Sequence, residues 1–300
     1  MQTRLIINPV SGRAGARRGA GDARARLARA LLDAHPGLDV EIVLTRARGH
    51  GRELAEACVA RGVDRVIAWG GDGTVNEIAG PLIGTSVELG IVPSGSGDGL
   101  ARSLGLPRRP RLALATALAG AATAIDVGWM GGRHFLNVGG VGFDAAIACA
   151  FNDRTRRGGL GYVTGGLTSV WSYRCGSYEL EIDGQRLSGP RFLVAFANGR
   201  QYGNGVVIAP DADLRDGWLN AIVVAGGSPL RQFWRARRLA IGRLRAAEGV
   251  LRVRVQRARV SGERLVCHVD GETFEVGGDL DVTVMPRALR VVGPAELSGR

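Results

Sequence analysis

Through the first 125 or so residues, short apolar runs alternate with stretches of helical periodicity. Leu5–Ile7, Asp39–Leu44, Val66–Trp69 and Leu89–Val92 read as strands, being short, apolar and bounded by turn residues. Helical patterns over Arg17–Leu32, over Gly51–Arg61 and from near Thr74 lie between them. Strand–helix alternation with a glycine-rich turn after each strand predicts a parallel, doubly wound α/β domain over residues 1–125. Pro107 to Pro110 interrupt it, and an alanine-rich helix over Arg111–Ala121 follows. From Asp126 the period shortens. Tyr178–Ile182 alternates apolar and charged residues, and Asp183-Gly184 supplies a type I′ hairpin turn. Phe192–Phe196, Leu219–Val224, Leu251–Val255, Leu265–Val269 and Leu280–Val284 are further strands, so 126–285 is expected to be a β-sandwich. Ala288–Gly293 reads as a strand that returns to the first domain, taking residues 286–300 with it.

The 300 residues are 45% hydrophobic and 22% charged, enough for packed cores and without a disorder signature. The formal charge is 39 − 28 = +11, and every basic side chain other than histidine is arginine. Such a balance implies an anionic partner, either a nucleotide, a membrane surface or nucleic acid, unless the arginines are simply solvated. No nucleic-acid motif accompanies it, so nucleic acid is set aside. Cys58, Cys149, Cys175 and Cys267 form no CxxC pair, which argues against a zinc site or disulfide framework and for reduced thiols in the cytoplasm. The short apolar run Leu5–Ile7 ends at Asn8-Pro9, too early for a signal peptide. No stretch approaches the roughly 18 apolar residues of a membrane span, so membrane contact is expected to be peripheral.

Three turns after strands carry the candidate chemistry. They are Asn8-Pro9-Val10-Ser11-Gly12-Arg13, Gly70-Gly71-Asp72-Gly73-Thr74-Val75-Asn76-Glu77 and Pro93-Ser94-Gly95-Ser96-Gly97-Asp98-Gly99. Ligands of open α/β sheets bind at the carboxyl ends of strands, where these turns fall. Glycine lets backbone N–H groups approach phosphate oxygens, and a following helix N-terminus adds partial positive charge. Ser11, Thr74 and Ser96 add hydroxyl donors. A carboxylate in such a cradle repels phosphate, so Asp72 reads as a magnesium partner or as a base for an attacking hydroxyl. One glycine-rich turn is more often a plain connector, but three at successive strand ends favour a binding site. The absence of GxGxxG in the first turn excludes a dinucleotide fingerprint, and the absence of GxxxxGK[ST] excludes a P-loop.

GGDGTVNEIAG, with NPVSG before it and PSGSGDGLARSLGLP after it, resembles the diacylglycerol kinase catalytic-domain family. That family includes sphingosine and ceramide kinases and soluble bacterial lipid kinases. The likeness continues through IDVGWMGGRHFLNVGGVGFDA, LGYV, ANGRQYGNG, APDADLRDGWLNAIVV and VDGE. GGDGT alone is shared with NAD kinases; the NPVSG and VDGE segments are more specific. The resemblance implies a phosphofructokinase-like (NAD-kinase-like) α/β domain followed by a β-sandwich, with ATP in the cleft between them. It also implies Mg2+ as cofactor, a lipid hydroxyl as acceptor, and a cytoplasmic enzyme held peripherally at an anionic membrane's inner face. A homodimer is compatible with it.

By the same resemblance Asn8, Ser11, Arg13, Thr45, Gly70, Gly71, Asp72, Gly73, Thr74, Val75, Asn76, Gly95, Ser96 and Gly97 face the nucleotide. Arg13 stands where many members carry lysine, replacing a point charge by a planar fork. VDGE brings the carboxylates of Asp270 and Glu272 to the cleft. Glu272 is implied as the base and Asp72 as organiser of magnesium and γ-phosphate, with Asp72 as base in the alternative assignment. Asp270-Gly271 also suits an ordinary hairpin turn, which would leave Glu272 a surface strand residue. Asp126 matches a carboxylate of a metal–water network, while Asp213, Asp216 and Trp218 match a structural magnesium site. Arg154, Arg156 and Arg157, before Leu160-Gly161-Tyr162, are basic residues that reach toward phosphates, or a solvated cluster. The third turn departs from the bacterial pattern, with Asp98 at an asparagine position and Gly99 at an aspartate position. That leaves open whether the acceptor is diacylglycerol or a sphingosine-type long-chain base.

A helix opened by Ser228 and Pro229 is expected to run to about Arg245. Leu230, Phe233, Trp234, Ile241 and Leu244 share one side at helical spacing, among six arginines from Arg231 to Arg245. Core packing is the preferred account of that stripe, with an anionic bilayer surface second.

Overall fold

In a computed structural model the described residues are 1–12, 20–33, 37–143, 145, 173–203, 206–240 and 249–294. The chain divides into two compact units, residues 1–125 with 287–300 and residues 126–286.

The first unit is built on four strands. They are β1 (Gln2–Ile7), β2 (Asp39–Leu44), β3 (Arg65–Gly70) and β4 (Glu88–Pro93). Between and after them run α1 (Ala20–Leu32), α2 (His50–Ala60), α3 (Asp72–Leu82), α4 (Gly99–Ser103) and α5 (Pro110–Ala119). The sheet order is β2-β1-β3-β4, parallel throughout, with Leu5 opposite Ile42 and Ile67, and Ile67 opposite Gly90. Alternate residues feed opposite faces. Leu5, Ile7, Ile67, Trp69 and Val92 pack under α1 and α5, against Ala25, Ala28, Ala113, Leu114 and Ala117. At the amino ends of β3 and β4, buried Arg65 binds Glu88 at 2.6 Å and the carbonyls of Ala117 (2.9 Å) and Gly120 (3.1 Å). These contacts tie α5 to the sheet at the end away from the glycine-rich turns, so the turns are left clear.

The second unit is antiparallel. It holds β5 (Ala121–Met130), whose first residues belong to the first unit, then β6 (Arg133–Phe135), β7 (Val138–Gly142), β8 (Gly176–Ser177) and β9 (Glu179–Ile182). After these come β10 (Gln185–Leu187), β11 (Pro190–Ala197), β12 (Leu219–Ala225) and the helix α6 (Pro229–Ala240). The last strands are β13 (Val250–Val255), β14 (Arg257–Val269) and the long β15 (Glu272–Gly293). The ladder runs β13-β12-β11-β7-β14-β15, with β9 beside the first half of β14 on the same edge as β7. Period-2 alternation again sorts the core. Val194, Phe196, Ala221 and Val223 join Leu180, Ile182, Val260 and Leu265 in one cluster, the sandwich interior. Leu193, Ala195, Ala197, Ile222 and Val224 face a second cluster, covered by Ala236 and Leu239 of α6.

The Asp183-Gly184 turn joins β9 to β10 with φ of 46° and 85°, as a type I′ turn requires. The final strand returns to the first unit, where Arg290 and Val291 lie parallel to Glu88 and Leu89 of β4. Strand β14 is far longer than the expected Leu265–Val269. Its first half, Arg257–Gly262, alternates arginine and serine with apolar residues and pairs with β15, with a register shift before Leu265.

Candidate functional site

All three glycine-rich turns sit at the carboxyl end of the first unit's sheet and bond to one another. Asn8 Nδ2 donates to Thr74 Oγ1 (2.7 Å), and its Oδ1 accepts the Val10 N–H (3.0 Å). Ser11 and Ser94 share a hydroxyl–hydroxyl bond of 2.7 Å. Asp72, the first residue of α3, accepts the Gly99 N–H at 2.8 Å, so the second turn clamps the start of α4. Asp98 in turn accepts the Gly95 N–H at 2.8 Å, and Arg102 Nε donates to Gly97 O at 2.9 Å. Thr45 follows β2 and donates its N–H to Ile7 O at 2.9 Å.

Part of the glycine content is demanded by this packing alone. A Cβ on Gly12, where φ is +66°, would stand 1.8 Å from Ser94 O; one on Gly95 would stand 2.8 Å from Gly71 Cα. Gly70 is pinned likewise, its Cβ position being 2.4 Å from Thr74 Cβ. Gly73 differs. It is exposed in the first turn of α3, has no positive φ, and a Cβ there would meet no atom within 4 Å. Its N–H is among those that no helical carbonyl can reach. A helix N-terminus with open space over an exposed glycine is a surface an anion can approach closely.

One residue of this cluster was not signalled by the sequence. Arg24 of α1 is 8% exposed; its NH1 donates to Asn8 O and to Ser11 Oγ (2.8 Å), and its NH2 to Ser11 O (2.7 Å). Burial pulls its pKa down from the usual arginine value, yet a guanidinium stays charged. The first turn is therefore wrapped around a buried cation. Ser94 and Asp98 belong to the third turn the sequence marked, though not to the residues expected to face the nucleotide. Asp98 is 5% exposed with φ +48°, and its burial raises its pKa against the opposing pull of Arg108 and Arg102.

Several expectations change at this point. Val75 is buried in the first unit's interior, so its side chain belongs to the core and only its backbone can face a ligand. Asn76 is half-buried in α3, and Ser96 is exposed at the tip of the third turn. Arg13 lies outside the described residues, as do Arg154, Arg156, Arg157 and Leu160-Gly161-Tyr162.

In the second unit Asp270 and Gly271 form the hairpin between β14 and β15, with φ of 48° and 87°. Asp270 anchors this hairpin. It accepts the N–H groups of Leu136 (2.7 Å), Asn137 (3.0 Å) and Val138 (3.0 Å). The anchor fixes the hairpin tip against the start of β7, and Glu272, half-buried, is the first residue beyond it, paired with Val269. Asp126 is fully buried at 0% exposure. Its Oδ2 accepts the Gly217 N–H (2.7 Å), and its own N–H reaches Leu214 O (2.6 Å). Asn198, also buried, donates to Asp126 O and Leu136 O, both at 2.8 Å.

In the 213–218 loop both carboxylates already meet arginines. Asp213 is paired with Arg215 at 3.3 Å, and Asp216 with Arg254 at 2.7 Å while accepting the Trp218 N–H at 2.9 Å. Arg254 also lies 5.2 Å over the Trp218 ring. Two arginines already neutralise this loop, and no cluster of three acidic, histidine or cysteine side chains suited to a metal occurs among the described residues.

Residues 2–130 match the diacylglycerol kinase catalytic domain, and residues 137–293 match the YegS C-terminal NAD kinase beta sandwich-like domain. A protein named diacylglycerol kinase from Mycobacterium tuberculosis (strain H37Rv) is 30% identical over 301 residues, covering 96% of this chain and 94% of its own. One of the same name from Bacillus subtilis (strain 168) is 28% identical over 304 residues, covering 98% and 97%. A "Probable lipid kinase YegS-like" of Chromohalobacter salexigens is 38% identical over 203 residues, 65% of each chain. The fold is also that of a crystal structure of a diacylglycerol kinase from Bacillus anthracis str. Sterne, with a TM-score of 0.77 at 20% identity over 99% of this chain and 98% of the other. The turn sequences, the two domain matches and the near full-length relatives agree, and the chain belongs to the diacylglycerol kinase catalytic-domain family of lipid kinases.

Proposed function

We propose that this protein transfers the γ-phosphoryl group of ATP to the hydroxyl of diacylglycerol or a closely related lipid. The observation that carries the reading is the interlocked set of three turns, with Gly73 open at the start of α3 and buried Arg24 beneath the first turn. Backbone N–H groups at that helix start are suited to hold phosphate oxygens, and the Arg24 charge, buried among neutral acceptors, favours an anion above it. Residues 1–125 are then the nucleotide-binding part and 126–285 the lipid-acceptor part.

The donor set at Asp72 fits magnesium in the form kinases use, one or two carboxylates completed by phosphate oxygens and water rather than an all-protein cage. When bound there, magnesium would neutralise charge across the β- and γ-phosphates. Asp72 holds that position because its Oδ1 is fixed by Gly99 N–H. Asn8 and Thr74 orient the first and second turns toward each other, and Ser11 with Ser94 does the same for the first and third. Glu272 is assigned as the base. The lipid hydroxyl oxygen attacks the γ-phosphorus, the bond to the β–γ bridging oxygen breaks, ADP leaves, and the hydroxyl proton passes to the Glu272 carboxylate. Anchoring of the hairpin by Asp270 keeps Glu272 in a fixed position.

The test is transfer of labelled γ-phosphate from ATP to diacylglycerol, sphingosine and ceramide in mixed micelles, with NAD as a soluble control. Label on diacylglycerol that disappears in Asp72→Ala and Glu272→Ala carries the reading. Label on sphingosine alone replaces the acceptor by a long-chain base, and label on NAD alone overturns the lipid assignment.

A further inference from the structure

Helix α6 (Pro229–Ala240) has two faces that the sequence could not separate. Phe233, Ala236 and Leu239 turn inward onto the cluster that covers Leu193, Ala195, Ile222 and Val224. Buried Gln232 sits with them and donates to Gly227 O at 2.7 Å. The expected single stripe is therefore split. Leu230 and Trp234 point away from the core and remain 57% and 49% exposed, while Ile241 and Leu244 lie outside the described residues. The core is covered without them.

The outward face is as cationic as it is apolar. The helix carries Arg231, Arg235, Arg237 and Arg238 and no acidic residue. Arg231, Trp234, Arg235 and Arg238, at helical spacings of i, i+3, i+4 and i+7, line one pocket of about 280 Å³. Arg235 is held in place there by a 2.6 Å bond from NH1 to Ala225 O, and Arg237 stacks over the Trp234 ring at 5.3 Å. Among the described residues no carboxylate pairs with Arg231, Arg237 or Arg238. Three arginines converging on a pocket beside an exposed indole match the chemistry of a phosphodiester headgroup, with its charge on the arginines and its glycerol and acyl edge on tryptophan and leucine. Tryptophan prefers the headgroup level of a bilayer, and leucine the acyl boundary just below it.

We propose that the outward face of α6 docks this protein onto an anionic phospholipid bilayer, with the Arg231–Trp234–Arg235–Arg238 pocket taking a lipid phosphate. The inference rests on the lipid-kinase reading in one respect only: an enzyme whose acceptor lives in a bilayer must reach that surface. The helix lies flat on the bilayer, since no helix among the described residues is long and apolar enough to cross it.

The experiment is cosedimentation of the full chain with phosphatidylglycerol–phosphatidylcholine vesicles and with pure phosphatidylcholine vesicles. Tryptophan emission is recorded in parallel for wild type and Trp234→Phe. The docking variant is Arg231→Ala/Arg238→Ala, and the charge-matched control is Arg61→Ala/Arg257→Ala, at exposed positions elsewhere. Binding to phosphatidylglycerol vesicles is expected to weaken about thirtyfold in the docking variant, two arginines at about 1 kcal/mol each converted at 1.4 kcal/mol per tenfold. The control is expected to stay within about threefold, since neither arginine belongs to α6. A blue shift on phosphatidylglycerol vesicles is expected in wild type and reduced in Trp234→Phe. Equal weakening in both double variants overturns the docking face and leaves net charge alone. Equal binding to both vesicle types, or an emission change produced by inorganic phosphate without vesicles, also overturns it. Phosphorylation of a short-chain, water-soluble diacylglycerol separates the two readings. If wild type phosphorylates it but ignores anionic vesicles, docking fails and the kinase stands; if it binds through α6 but phosphorylates no lipid, docking stands and the kinase fails.

Discussion

Replacing Gly73 by alanine separates a glycine kept for folding from one kept for a ligand. Within the first unit the added Cβ meets no atom within 4 Å, and the backbone φ is not positive. Alanine is also the better helix former, and its unfolded chain has less freedom to lose. Together these give a gain of about 0.4–1 kcal/mol, or about no change at so early a position in α3. A thermal melt of Gly73→Ala should therefore match wild type or exceed it by a few degrees. Activity should behave in the opposite way. The methyl fills the open space above the α3 N-terminus, and a phosphate pushed off that surface loses at least one charge-assisted hydrogen bond, about 1.5–3 kcal/mol. At 1.4 kcal/mol per tenfold, kcat/KM for ATP should fall about ten- to hundredfold at saturating lipid. Gly12→Ala is the opposite case. There φ is +66° and Ser94 O lies 1.8 Å from the new Cβ, so the melt itself should drop by the equivalent of more than about 2 kcal/mol. An unchanged melt with kcat/KM within twofold of wild type in Gly73→Ala would refute the argument that a ligand crosses that glycine.

Further outcomes follow from the same geometry. Arg24→Met removes the three bonds that shape the first turn, and should raise the KM for ATP more than it lowers kcat, with partial recovery in Arg24→Lys, read from steady-state kinetics. Asp270→Ala leaves three backbone N–H groups without their acceptor and should cost about 3 kcal/mol or more in denaturant unfolding, whatever the ligand. Burial raises the Asp98 pKa, so the folded state holds its proton more tightly than the unfolded one. That penalty is absent below the ordinary aspartate range, grows as pH rises through it, and is complete above the folded-state value. Asp98→Asn keeps an acceptor for Gly95 N–H and tolerates φ +48°. It should thus melt higher than wild type at neutral pH, with the difference vanishing in acid.

What could be read from the sequence was mostly what is local in the chain. The parallel strands and the three turns were legible because apolar period, glycine and aspartate lie within a few residues of one another. Asp270 was not legible as an anchor, because its partners Leu136 to Val138 are more than 130 residues away. The same holds for Asp216, whose charge is met by Arg254 across the β12–β13 ladder, 38 residues on. Arg24 was hidden differently. Among so many arginines, nothing in α1 marks the one that turns inward. In α6 the spacing gave an apolar stripe, but Phe233 and Trp234 are neighbours about 100° apart on the helix, and only packing decides which of them is buried. The first half of β14 was missed because its alternating arginines mimic a solvated segment.

The most direct test of the central claim is labelled γ-phosphate transfer from ATP to diacylglycerol by wild type and by Asp72→Asn. The asparagine retains an oxygen for the Gly99 N–H, so the turns should keep their arrangement and the melt should be unchanged. The account predicts labelled phosphatidic acid from wild type and a fall of about a hundredfold or more in the variant, the scale on which a positioned catalytic carboxylate acts. A wild-type protein that labels no lipid, or an Asp72→Asn protein that labels diacylglycerol as fast as wild type, would contradict it.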